Sequence, residues 1–271
     1  MQHPTRLVRV ASLVILSLAA ASAARSQTVE QQLEQPGHAT PTTHAWDITL
    51  GAGIAASPNY LGGSHYRAEA IPFASVSYDR TVFLGPSGLG INLVNVNGFH
   101  AGPVIGIGGS RDQDDDAHLH GLGNIQTSLT AGLFAAYSFG PFEVSGTARQ
   151  AITHSSNGFI GLLAFDYRTF LIPSKLDLAI GPDVEFADTQ YARAWFGVTV
   201  SQSTLSDLPV FTPGGGVRDY GAHAALTYHY SAHVLVRGFA TFKELTGDFA
   251  SSPIVESRSQ TIMGVGAGYH F

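Results

Sequence analysis

Ile262-Met263-Gly264-Val265-Gly266-Ala267-Gly268-Tyr269-His270-Phe271 closes the chain, and its reading decides the fold. Side chains of an extended strand alternate between two faces. Met263, Val265, Ala267, Tyr269 and Phe271 then share one face, and Ile262, Gly264, Gly266, Gly268 and His270 the other. One face is apolar and ends flush on an aromatic ring, which suits a strand with its outer side in lipid. Alternation by itself also suits any half-exposed edge strand. The rest of the chain has to choose between the two.

The beginning of the chain favours export. Arg6 and Arg9 precede the apolar run 10–20, and Ala21-Ser22-Ala23 follow. A basic region, a short apolar core and small residues make a secretory signal peptide, predicted over 1–23 with the cut after Ala23. The run is too short for a membrane anchor, which needs about 20 apolar residues. Residues 24–45 are rich in Gln, Thr, Pro and His without a period, and read as a flexible periplasmic lead-in. The chain has no cysteine, which excludes a disulfide framework.

Composition separates a membrane β-protein from a soluble one. Only 13% of residues are charged, against about 25% in soluble domains. Beyond the leader, no apolar run is long enough to span as a helix. A barrel with one lipid face and one wet face has this composition. The net charge of −6 offers no basic patch for nucleic acid.

From Trp46 a period of two takes over. Leu176, Leu178, Ile180, Val184 and Phe186 face one way, and Lys175, Asp177, Asp183 and Glu185 the other. A slip of one residue would put four charges into lipid, so the register is tightly specified. The pattern predicts about twelve strands over 46–271: 46–56, 68–78, 81–94, 99–110, 124–139, 141–152, 159–171, 174–187, 190–200, 217–230, 233–243 and 258–271. In lipid only closure satisfies every backbone group, so the fold class is all-β, a transmembrane antiparallel barrel. Pro103 and Pro182 each remove a ladder bond and are expected at bulges. Counted back from Phe271, strand parity places 57–67, 201–216 and 244–257 outside. It also places the loop 111–122 and the 154–158 turn in the periplasm, and the tight turn at 139–141 outside. The placements of 111–122 and 139–141 clash with the usual rule of long loops outside and short turns inside.

Several short elements, in order, resemble the MipA/OmpV family of bacterial outer-membrane proteins. They are Pro58, Tyr60, Gly63 and Ser64; Arg111 with Leu119, Gly121 and Leu122; and Ala187-Asp188 with Tyr191 and Phe196-Gly197-Val198. Ser206-Asp207-Leu208-Pro209 follows, then Leu245, Gly247, Asp248, Ser252, Pro253 and Ile254, then Tyr269 and Phe271. The chain departs from the family's G-H-x-G turn, having His154-Ser155-Ser156-Asn157-Gly158 there. The resemblance implies an outer-membrane barrel of a Gram-negative bacterium without known catalysis or cofactor. Its surroundings would be the lipid bilayer and lipopolysaccharide. Tyr269 and Phe271 would serve as the signal read by the barrel-assembly machinery. One family member is described as a scaffold joining a lytic transglycosylase to a murein synthase; others are linked to adhesion or antibiotic sensitivity. A monomer is expected.

Three groups of residues invite chemistry. Asp112, Asp114 and Asp116 alternate ahead of His118 and His120, which suggests a cation loop. Ala117 and Gly123 stand where a calcium loop needs Gly and Glu, so a solvated turn is the simpler reading. His154-Ser155-Ser156-Asn157 resembles the H-x-S-N motif of outer-membrane lipid A deacylases, in which His154 would act as base on Ser156. No third residue is evident to orient His154, and a polar turn is the alternative. Asp166, Arg168, Asp177, Asp183, Glu185, Arg193, Arg237 and Lys243 are expected in the lumen, lining a passive pore or closing it with salt bridges.

Overall fold

The computed structural model describes residues 46–85 and 88–271. The signal peptide (1–23) and the lead-in (24–45) lie outside the described residues. Thirteen strands form one antiparallel sheet: β1 (Trp46–Pro58), β2 (Tyr66–Tyr78), β3 (Val82–Gly85), β4 (Gly88–Ile91), β5 (Val94–Val96), β6 (Phe99–Gly108) and β7 (Ser128–Phe139), then β8 (Phe142–Ala151), β9 (Phe159–Ile172), β10 (Leu176–Ala187), β11 (Gly216–His229), β12 (Val234–Leu245) and β13 (Ser259–His270). β1 pairs with β13, and β4 and β5 both pair with β6. β4 and β5 share one place beside β6, so the ring closes with twelve places. No described helix is long and apolar enough to cross a membrane; the strands make the crossing, and closure leaves no unpaired edge in lipid.

The alternation sorts side chains as the register demands. Ile54, Leu133, Leu163, Ile180 and Met263 stand on the outer surface, Ile54 at 63% exposure. Asp166, Asp183, Glu185, His223, Arg237 and Lys243 are buried inside. Rings gather at one rim. Trp46 lies on Tyr78, Tyr137 on Phe139, Phe142 on Tyr167, and Tyr269 on Phe271. Aromatic girdles of this kind sit at a membrane–water interface.

Two predicted segments are corrected. Residues 81–94 are two strands and part of a third, because Gly85 and Gly88 pair with one another across a reversal of the chain. The sequence there, Gly-Pro followed by Ser-Gly, is of the composition that breaks strands. Residues 190–200 are not a strand: they cover most of α1 (Thr189–Phe196), a short link with a Val198–Phe211 bridge, and the first residue of α2 (Val200–Ser206). Asp188 caps α1 by accepting the Tyr191 backbone N–H at 2.7 Å. Tyr191, Ala192, Trp195 and Phe196 then form a helical stripe against the loops. One strand gained and one lost leave the total at twelve.

The same two changes correct the sidedness. The loop 111–122 lies with the other long loops, since Asn59 Nδ2 donates to Asp116 (3.0 Å), Arg67 bonds Asp115 (3.1 Å) and His118 Nε2 reaches the Pro253 carbonyl (3.0 Å). The 154–158 turn is on this loop end too, bonded through Asn157 to Gln126. The turn at 139–141 lies at the opposite end, with the other short turns and with Phe271. Long loops at one end and tight turns at the other now obey the rule for such barrels.

Neither proline is itself a bulged residue. The β10–β11 register runs through Pro182 unshifted. Beside Pro103 the extra residue is on the neighbouring chain: Gly90 pairs with Val104 and Val94 with Ala101, which sets Ile91, Asn92 and Leu93 against Gly102 and Pro103. A further shift lies at Glu185/Phe186, where Glu185 pairs with Asp219 and Phe186 with Val217. Arg218 is the extra residue. Both Arg218 and Asp219 consequently point inward, the re-aiming of a side chain that a bulge produces.

Candidate functional site beneath the loop cap

The site has two storeys, an apolar cap over a polar lumen. The cap is built from loops far apart in sequence. Ala187, Tyr191, Phe196, Leu245 and Phe249 form one buried cluster. Tyr60, Leu119, Leu122, Val198 and Ile254 form a second. α3 (Gly247–Ser251) contributes Phe249, whose ring meets Phe196 edge-on at 5.2 Å. Polar ties lock the loops together. Ser252 Oγ donates to the Phe196 carbonyl (2.6 Å), Tyr60 Oη to the Ile254 carbonyl (3.0 Å), and the Gly214 N–H to Asp248 (2.7 Å). Burial pushes the Tyr60 phenol far above its ordinary range, so it stays a donor. Gly158, at φ +73°, lets α1 lie on the neighbouring turn; a Cβ there would stand 2.2 Å from the Tyr191 nitrogen.

Below the cap, charges pair inside the barrel. Arg218 binds Glu185 and Asp219, and donates to the Tyr191 hydroxyl at 2.8 Å. Lys243 contacts Glu185, Asp219 (3.4 Å) and Asp183 (3.6 Å). His223 lies between Asp166 (3.0 Å) and Asp183 (3.2 Å). Beside this network an apolar cluster fills part of the lumen: Ala55, Ile71, Phe73, Ala225, Phe239 and Ile262 pack together. The glycine face of β13 makes room for these rings. A Cβ on Gly264 would fall 2.6 Å from the Phe239 ring, and one on Gly268 would fall 3.2 Å from Phe73.

The expected site residues fall as follows. Asp112 accepts from the Asp114 N–H and from Asn124; Asp116 caps a 3-10 turn at His118 and accepts from Asn59 and His65; Asp114 and His120 meet at 3.8 Å on the surface. The five do not converge on one point. Asp116 instead lies near His65 and Glu256. His154 is at φ +49° and its Nδ1 lies 3.1 Å from the Thr127 carbonyl. Residues 155–157 form a 3-10 turn, so His154 and Ser156 do not share a strand face. Tyr269 and Phe271 stand exposed at the turn end, and the Phe271 N–H donates to Ile48 of β1. Of the lumen charges, Arg193 is exposed on α1, while Arg149, Arg218, Asp219 and His223 are interior residues that the sequence pattern passed over.

A closed twelve-place membrane barrel with its loops folded into a cap is the class of protein that this geometry defines. The elements from Pro58 to Ile254 that stood apart in the sequence meet in that cap. A family model described as "MltA-interacting protein MipA" matches residues 50–271, and the chain belongs to that family. Outer membrane protein OmpV of Vibrio cholerae is 24% identical over 189 residues, covering 70% of this chain and 69% of that protein. Outer membrane protein Omp26La of Vibrio anguillarum is 24% identical over 168 residues, 62% of this chain; the match spans 64% of that relative, under two thirds of its length. Among solved structures, an outer-membrane channel of Pseudomonas putida F1 aligns with a TM-score of 0.45 at 12% identity, covering 88% of this chain and 100% of that one. The channel DcaP of Acinetobacter baumannii gives 0.41 at 8% identity, covering 83% and 96%. The chain is an outer-membrane β-barrel.

Proposed function

We propose that this chain is a non-conducting outer-membrane barrel that serves as an interaction platform for a murein-processing enzyme, in particular a lytic transglycosylase. The partner class rests on the family, whose description is that of an MltA-interacting protein. The observation that carries the non-conducting reading is the filled lumen. A barrel of this size stands between a packed interior and an open channel. Here the loops cap one end, the Arg218–Lys243 ion network lies beneath the cap, and Phe73 and Phe239 pack below it. By the usual polarity of such barrels the loop end faces outward, and the turn end, with the lead-in, faces the periplasm and the enzyme. The barrel works as a monomer in bilayer and lipopolysaccharide, without catalysis or cofactor.

Two measurements test this. The purified full chain in planar bilayers should give no single-channel steps, and capture from detergent-solubilised envelopes should bring down a lytic transglycosylase. Regular conductance steps would overturn the closed-barrel reading, and failure to retain the enzyme would overturn the platform. Lipid A acyl composition, read by mass spectrometry, should be the same with the wild type and with His154→Ala; a difference would restore the hydrolase reading of His154 and Ser156.

A further inference from the structure

Between the cap and the ion network lies a cavity of about 180 Å³, well above the roughly 10–15 Å³ that one water needs. Five buried donor atoms on its lining residues find no hydrogen-bond acceptor among the described residues: Ser57 Oγ, Arg111 Nε, Thr130 Oγ1, Arg149 Nε and Trp195 Nε1. They come from three strands, one loop and α1, so a single local distortion does not account for them. Buried polar groups in folded proteins are nearly always satisfied. Five orphans around one cavity indicate a ligand that accepts.

The charges say which kind. The carboxylates at this level are already engaged: Glu185 holds Arg218 and Lys243, Asp219 holds Arg218, and Asp115 holds Arg67. Arg111 and Arg149 are 4% and 7% exposed, and neither has a carboxylate within 4 Å among the described residues. Arg111 donates through Nη1 to the Trp195 carbonyl at 2.6 Å, which fixes its guanidinium against α1. Burial lowers Arg111 to about 10, still a cation at neutral pH. Glu185 acts on Arg149 only from beyond salt-bridge distance, and a buried charge with no carboxylate in contact is costly. The wall is mixed: polar groups such as Ser128, Thr147 and Gln260 stand beside an apolar side made of Leu61, Ile160 and Leu162, with the Tyr191 and Trp195 rings stacked at 5.5 Å.

We propose that this cavity is a binding site for a small organic carboxylate, its carboxyl group held by Arg111 and Arg149 with Ser57, Thr130 and the Trp195 indole N–H, and its apolar body against Tyr191 and Trp195. Planar guanidinium forks match a carboxylate two bonds at a time. The site does not depend on the murein partner, and its five donors lie outside the His154 turn, which adds only Asn157 and Gly158 to the wall.

The two tryptophans allow a direct test. Trp46→Phe leaves Trp195 as the sole indole reporter in the folded full chain. Titration with butyrate and with succinate should each give a saturable change in Trp195 emission and raise the melting temperature. Inorganic phosphate and chloride form the comparison arms. Arg149→Gln should weaken carboxylate binding about tenfold or more, and Arg149→Lys should retain part of it; heat-modifiable migration on gels confirms that each variant is a folded barrel. No saturable change with either carboxylate overturns the site, as does binding that Arg149→Gln leaves intact. Saturation by phosphate with none by carboxylates overturns the ligand class.

Discussion

At the scale of single residues, the closing strand and the lumen bear the most weight. Phe271 donates its N–H across the seam to Ile48, and its ring meets Tyr269 at 4.8 Å. Deleting Phe271 should slow or prevent assembly; normal amounts of heat-modifiable barrel in purified outer membranes would refute that role. Lys243 touches three carboxylates deep in the barrel. Breaking a buried ion network by removing one partner costs about 3–5 kcal/mol. Lys243→Met should therefore lower stability by about that much in urea unfolding from lipid vesicles. A loss below about 1 kcal/mol would mean that the network behaves like exposed pairs. The inward set was only half legible in the sequence. Asp183, Glu185 and Lys243 follow strict alternation, but Arg218 faces inward beside Asp219 because a bulge at that point breaks the period, and no sequence pattern marks where the bulge falls.

Elements tell a similar story. The long strands could be read because lipid outside and polar lumen inside impose a period of two along each of them. α1 is ambiguous in the sequence because Tyr191, Arg193 and Trp195 alternate as well as Tyr191, Ala192, Trp195 and Phe196 recur along a helix. The capping Asp188 was the signal that separates the two. The cap itself could not be read, since its clusters join loops up to about two hundred residues apart, and contact at that distance leaves no local period. Its stability should depend on pH. Burial alone would raise Asp116, but the His118 N–H, Asn59 and His65 outweigh it and hold its carboxyl below the ordinary range. Burial likewise opposes ionisation of Glu256, and the Ser64 N–H, Tyr60 and the Ser64 hydroxyl prevail and lower it. Both groups bind protons less readily in the folded cap than in the unfolded chain. Their contribution is whole above the unfolded carboxylate range, about pH 4, and is lost as pH falls through the lower folded values. Limited proteolysis of loops 58–65 and 111–122 with an acid-active protease should show the cap opening below about pH 4, while strands stay protected. Asp116→Asn should loosen the cap at neutral pH and flatten the acid response. If loops and strands lose protection together, the cap is not a separate unit.

At the scale of the molecule, two sequence errors of opposite sign left the strand number right and the sidedness wrong in the middle of the chain. The corrected ring predicts its own orientation. The chain has no cysteine, so single cysteines report position without background. On intact cells an impermeant maleimide should label Asp114→Cys in the loop cap, while Ser231→Cys in the β11–β12 turn should label only after the outer membrane is permeabilised. The reverse pattern would invert the barrel. The seam has one more consequence. Gly51 pairs with Gly268, and Gly53 with Gly266. A displacement of β13 by two residues would bring glycine opposite glycine again and keep every side chain on its own side of the wall. Backbone bonding along this ladder therefore tolerates several alignments almost equally, and the native one is chosen by the few bulky groups at hand: the Phe73 ring wedged against Gly51 and Gly268, and the Thr49–His270 contact at 3.2 Å. The barrel's circumference is in this sense keyed by a few side chains, a vernier scale with only two engraved marks.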